Sequence, residues 1–108
     1  MGSLQDKKCK PCEGGVSPLT LDQAAELLND LKEWKLVDNG RMIEKTFKFP
    51  NYFRTMSFVN AIAWIANKEN HHPTLKVDYN QCIVQFTTHA IKGLSENDFI
   101  CAAKIDGL

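Results

Sequence analysis

The chain lacks an excess of charge of either sign. Thirteen Lys and Arg balance thirteen Asp and Glu, with no basic run and no acidic tail. That absence argues against nucleic acid as a partner, because binding phosphates needs a clustered positive surface. A long hydrophobic run is also missing. The longest, residues 58–66, is broken by Asn60, and a bilayer crossing needs about 20 apolar residues. Met1–Lys10 has no apolar core, so no signal peptide is expected there and no membrane is expected as a partner. The chain is expected to be cytoplasmic. No glycine-rich phosphate loop, repeat or low-complexity segment appears, which leaves no basis for a nucleotide cofactor.

Cysteine is present four times, but not in a pattern that builds a site. Cys9 and Cys12 form a C-x-x-C in a polar N-terminal stretch. A structural zinc needs a second ligand pair at suitable spacing, and none exists. A thioredoxin-like motif needs a βαβ setting, which this stretch does not offer. The expectation is free thiols in a reducing compartment, with Cys82 and Cys101 as small core groups inside apolar patterns.

At 108 residues the chain fits one domain, able to bury roughly two-thirds of its unfolded surface. Residues 1–18 read as a loose arm ending in Gly14, Gly15 and Pro18, and residues 19–108 as the domain. A helix starts after Thr20, whose spacing to Gln23 makes a capping box. Leu21, Ala24, Ala25, Leu27, Leu28 and Leu31 form its apolar stripe. Trp34–Val37 reads as a strand. Asn39-Gly40 is a strong hairpin signal, and Met42–Phe49 returns. Ile43, Phe47 and Phe49 share one face there, with Lys45 the exception. Pro50 ends this strand.

A long helix then runs from its N-cap Asn51 to about Asn70. Its apolar arc is wide, from Phe53 through Trp64 to Ala66. Such an arc suits either a helix buried within one chain or a subunit contact. Two half-buried strands follow Pro73, with Asn80-Gln81 as the expected turn. Ser95 caps a last helix that carries Asp98 in its first turn and buries Phe99, Ile100, Ala103 and Ile105. The predicted fold is α+β: a four-stranded antiparallel sheet with three helices packed on one face, in the order α-β-β-α-β-β-α.

The three histidines of the chain are His71, His72 and His89. With Asn80-Gln81 as a two-residue turn, Tyr79 faces Cys82, Val77 faces Val84 and Leu75 faces Phe86. Thr74 then faces Thr87, and His72 faces His89. Opposed Cβ atoms lie roughly 5 Å apart, so two imidazoles are expected side by side on the polar face. His71 points away from its neighbour and approaches from the helix end. Rings on different walls of one cleft suit a flat substrate and proton transfer near neutral pH. They do not suit a metal, because the H-x-x-x-H or H-x-H spacing that aims two rings at one point is absent. A nucleophile is not evident either. Ser57 and Ser95 sit in no recognisable elbow, and Cys82 points toward the apolar face.

The string His71-His72-Pro73, five residues, Tyr79, nine residues, His89, then Asp98 resembles the signature of the pterin-4a-carbinolamine dehydratases. Thr87-Thr88-His89, Gly93-Leu94-Ser95 and the stretch from Asp98 to Asp106 look like the bacterial-type form. The resemblance covers about residues 20–108. It implies 4a-hydroxytetrahydrobiopterin dehydratase activity: elimination of water from pterin-4a-carbinolamine to give quinonoid dihydropterin. This lyase reaction recycles the tetrahydropterin cofactor of aromatic amino acid hydroxylases. It further implies catalysis by His71, His72 and His89, with His71 and His89 as acid/base groups and His72 positioning the pterin. The implied substrate-binding residues are Asn70, His71, His72, Thr87, Thr88, His89 and Ala90. No metal and no cofactor is implied. The implied partners are the pterin, a second or further copies in a homodimer or homotetramer, and an aromatic amino acid hydroxylase. A non-catalytic dimerisation module is the alternative. Asn67, Asn70 and Ala90 replace acidic residues of the animal pattern, while Glu69 faces another side of the helix.

Overall fold

The computed structural model describes residues 3–10 and 16–108. Cys12, and with it half of the C-x-x-C, lies outside the described residues, as do Gly14 and Gly15. Three helices, α1 (Leu21–Leu28), α2 (Tyr52–Glu69) and α3 (Glu96–Asp106), accompany four strands. These are β1 (Lys35–Val37), β2 (Met42–Lys48), β3 (Thr74–Val77) and β4 (Gln81–Phe86). The strands form one antiparallel sheet in the order β1-β2-β4-β3. The α+β class and the order of elements are as predicted. No helix of the described residues is long and apolar enough to cross a membrane.

Local chemistry accounts for the element ends. Thr20 and Gln23 form the reciprocal capping box that starts α1. The Asn51 side chain accepts the Arg54 N–H to start α2. α2 ends at Asn70, which turns left-handed at φ 53°, a conformation Asn tolerates better than most side chains. In the first hairpin, Asp38, Asn39 and Gly40 all have positive φ, and four residues separate the paired Val37 and Met42. A Cβ on Gly40 would meet the terminal methyl of the exposed Leu21 side chain, which can move, so the positive φ is what favours glycine here.

The sheet buries one face. Ile43, Cys82, Val84 and Phe86 are solvent-inaccessible or nearly so, and they pack with Ile62, Phe99, Ile100 and Ile105 of the helices. Each of the Val, Ile and Phe side chains among them contributes roughly 1.5–3 kcal/mol by leaving water. Lys45 interrupts this face because it has a partner. Its Nζ reaches Asp106 at 2.8 Å, and both side chains are nearly buried. Trp34 Nε1–H donates to the same carboxylate at 3.1 Å. α3 is buried on more sides than an amphipathic helix requires. Residues 3–10 cover its second face: Leu4 is buried, and Lys104 Nζ donates to the Gln5 carbonyl at 2.7 Å. Asn97 and Cys101 are buried for this reason, in addition to the expected Phe99, Ile100, Ala103 and Ile105.

The second hairpin departs from the expected register. Val77 pairs with Cys82, Leu75 with Val84 and Thr74 with Gln85. The turn sits one residue earlier, at Tyr79-Asn80, closed by the Asp78 N–H to the Gln81 carbonyl at 2.9 Å. Asp78 favours this turn because its side chain accepts the Tyr79 N–H at 2.7 Å. The pairing therefore slips by two residues relative to the expectation. An even slip keeps every side chain on its face but moves each along the partner strand. The expected pairing of His72 with His89 does not form; extending the register sets Thr87 opposite His72.

Candidate active site

His71 is delivered by the end of α2. Its N–H closes onto the Ala66 carbonyl at 3.1 Å, and its ring lies flat against Phe86, with centroids 5.8 Å apart and planes 7° from parallel. Its Nε2 is 2.6 Å from Asp98 Oδ1. Asp98 is the third residue of α3, where a carboxylate can turn back to the cap, and it is fully buried. Its Oδ2 accepts the Ser95 N–H at 3.0 Å and the Thr88 hydroxyl at 2.8 Å. A carboxylate only accepts, so Nε2 of His71 carries the proton in this contact, and Nδ1 is left free to exchange one. Short charge-assisted bonds of this kind are roughly twice as strong as neutral ones.

Thr88 is held by the isolated pairing of its backbone with Gly93 and shares its hydroxyl with Ser95 Oγ at 2.7 Å. His89 follows directly, exposed, in the short turn His89–Ile91. His72 is also exposed, one residue before Pro73. Thr87 Oγ donates to the Arg41 carbonyl at 2.6 Å, which fixes its side chain.

A cleft of about 370 Å³ opens over these groups. All seven residues expected at the site line it, from Asn70 to His72 and from Thr87 to Ala90. The histidines thus surround one hollow even though two of them do not pair across the hairpin. Cys9, Lys10, Glu69 and Asn97 complete the wall, Glu69 against the expectation that it faces another side of the helix. Glu69 is turned toward the N-terminal segment, accepting the Cys9 N–H at 2.9 Å with Lys104 Nζ at 3.9 Å. Asn67 is exposed and takes no part in the cleft. Among the described residues no group of three His, Cys, Asp or Glu is placed to hold a metal ion.

The sequence had shown Asp98 in the first turn of the last helix and as part of a signature string, but not as the partner of His71. The available signal was the doubled use of one residue: a first-turn carboxylate that also stands in a motif containing histidines.

The family described as Pterin 4 alpha carbinolamine dehydratase matches residues 17–108. The chain belongs to this family. A protein of Nitrosomonas eutropha bearing the pterin-4-alpha-carbinolamine dehydratase name is 60% identical over 106 residues, covering 97% of this chain and 92% of that protein. One of Legionella pneumophila with the same name is 54% identical over 106 residues, covering 97% of this chain and 94% of that protein. Among solved structures, a transcriptional coactivator/pterin dehydratase from Brucella melitensis superposes with a TM-score of 0.80 at 32% identity, over 84% of this chain and 97% of that one. A pterin dehydratase-like RuBisCO assembly factor shares the fold, with a TM-score of 0.61 at 21% identity, over 70% of this chain and 88% of that one. The family match begins at residue 17, so the segment carrying Cys9 and Lys10 lies outside it while still walling the cleft.

Proposed function

We propose that the cleft dehydrates pterin-4a-carbinolamine. The hydroxyl on C4a leaves as water, the proton on N5 is removed, and a C4a=N5 double bond forms. Nothing is oxidised or reduced, so acid and base groups suffice. His71 is suited to the base: Asp98 fixes its tautomer and steadies the positive charge the ring gains on taking a proton. His89, exposed on another wall, is suited to protonate the departing hydroxyl. His72 and the side chains from Thr87 to Ala90 would hold the flat ring between them. The product is the quinonoid dihydropterin, which returns the tetrahydropterin cofactor of aromatic amino acid hydroxylases to use.

The observation that carries this reading is the 2.6 Å contact between His71 and the buried Asp98 inside a cleft that also collects His72 and His89. A module that only dimerises has no need of a buried carboxylate orienting a partly exposed imidazole. The test is the decay of carbinolamine with purified protein, compared with His71→Ala and His89→Ala. Catalysis by the native chain, reduced about 10²-fold or more by each substitution, supports the assignment. If all three proteins give the uncatalysed rate, the enzyme reading is lost.

A homo-oligomer fits the same chain. Phe53 is 78% and Trp64 65% exposed on α2, more apolar surface than a lone helix face leaves in water without reason. Light scattering on the purified protein distinguishes monomer, dimer and tetramer.

A further inference from the structure

The sulfurs of Cys9 and Cys101 lie 3.4 Å apart. They come from opposite ends of the chain, and the contact is held by backbone on both sides. The Cys9 N–H donates to Glu69 of α2 at 2.9 Å. The next residue, Lys10, is clasped twice by Asn97 of α3: its N–H donates to Asn97 Oδ1 at 3.0 Å, and its carbonyl accepts from Asn97 Nδ2 at 2.5 Å. Leu4 anchors the same segment in the core. Cys101 sits one turn after Asp98 on α3, and its Sγ is 3.9 Å from the His71 carbonyl. Cys9 is half-buried and forms part of the cleft wall, whereas Cys101 is fully buried.

We propose that Cys9 and Cys101 are a redox modification site: low-molecular-weight disulfides oxidise the pair to a reversible disulfide that staples residues 3–10 to α3 beside the histidine cleft. A disulfide places its sulfurs about 2.05 Å apart, so they must close by roughly 1.3 Å. The half-exposed Cys9 is the entry point. Its thiolate attacks one sulfur of the oxidant, forming a mixed disulfide and displacing one thiolate. Cys101 then gives up its proton and attacks the Cys9 sulfur, displacing the second thiolate. Two protein thiols lose two electrons and two protons, and the oxidant becomes two thiols. In the reduced pair the Cys9 contact, and then burial, raise the Cys101 thiol; burial persists in the mixed disulfide, so the second step is the slow one. Cys82, wholly buried in β4, is shielded from the same reagent.

The two steps are independent of the pterin chemistry, and so is their test. The full chain and a Cys12→Ser variant are incubated with glutathione disulfide, digested without reduction, and mapped by mass spectrometry. The expected product in both is a Cys9–Cys101 cross-link that dithiothreitol removes. It is accompanied by a rise in Tm of about 10–30 °C, because the bond closes nearly the whole chain into a loop. Cys9→Ser, a change at a half-exposed position, abolishes both the link and the rise. Two results would overturn the proposal. One is a Cys12→Ser protein that keeps glutathione on Cys9 and never links to Cys101. The other is a native chain in which Cys9 joins Cys12 instead.

Discussion

Replacing Asp98 by Asn tests the dyad with almost no change of shape. The native carboxylate accepts from three donors: His71 Nε2–H, Ser95 N–H and the Thr88 hydroxyl. The Asn amide has one oxygen and one NH₂. Ser95 can only donate through its backbone, so the oxygen must face it, and Thr88 shares that side. The NH₂ is left facing His71, and two donors cannot meet. The imidazole must therefore shift its proton from Nε2 to Nδ1, which blocks the nitrogen meant to act as base. Three hydrogen bonds survive in neutral form. The loss in stability is the charge assistance alone, about 1–2 kcal/mol, or roughly 5–15 °C in Tm. The loss in rate is larger. General base catalysis is worth about 10²–10⁴-fold, so kcat should fall by at least 10²-fold while KM changes little, because binding of the flat ring is untouched. Stopped-flow absorbance of carbinolamine decay measures both constants, and circular dichroism verifies folding. A folded Asp98→Asn protein that retains kcat within threefold of native would refute the dyad as the source of the base.

Further outcomes follow from the same geometry. Asp106→Ala strands Lys45 in a nearly buried position and removes the Trp34 acceptor; urea unfolding should show a loss of about 3–5 kcal/mol, and a loss below 1 kcal/mol would mean that water already screens the pair. Asn70→Gly should leave stability unchanged or slightly raised, whereas Asn70→Ala should cost about 1 kcal/mol, because φ is 53° at that position; equal melting temperatures for the two would contradict the left-handed cap. Burial raises the Cys82 thiol, and the Cys9 contact followed by burial raises Cys101, both above the ordinary value of 9.0. Since the folded chain holds these protons more tightly, their contribution to stability is complete below that value and declines above it, by about 1 kcal/mol per pH unit per thiol until the folded thiols ionise. Melting under reducing conditions from pH 7.5 to 10 should show this decline, shallower in Cys82→Ala; identical slopes would exclude the thiols as its cause.

Much of the fold was legible because its signals were local. Thr20 with Gln23, Asn51, Pro50, Asn39-Gly40 and Ser95 each act within a few residues, and each marks an element end where expected. What local signals did not carry was anything spanning the chain. Lys45 looked like an error in an apolar face because its partner, Asp106, is 61 residues away. The burial of Asn97 and Cys101 depends on a segment about 90 residues earlier. Nothing in the polar composition of residues 3–10 announces that Leu4 will anchor them.

The histidine cleft shows why an incorrect contact can still point to the right place. The register argument joined His72 to His89, and that pair does not exist. The alternation of Leu75, Val77, Cys82, Val84 and Phe86 fixes which face each residue occupies, and a slip of two leaves that assignment intact. His72 and the segment from Thr87 to His89 therefore stay at the same end of the same hairpin, and only their partners change. The feature that makes the site chemically distinct is of another kind. It requires α2 to end where His71 can stack on Phe86, and α3 to begin where Asp98 can reach Nε2. Two helix caps, Asn70 and Ser95, set those two positions. Hence a change at either cap should move the His71–Asp98 distance before it moves the sheet. A Ser95→Ala protein should lose activity through kcat, with its melting temperature lowered by no more than about 4–8 °C per kcal/mol of lost capping.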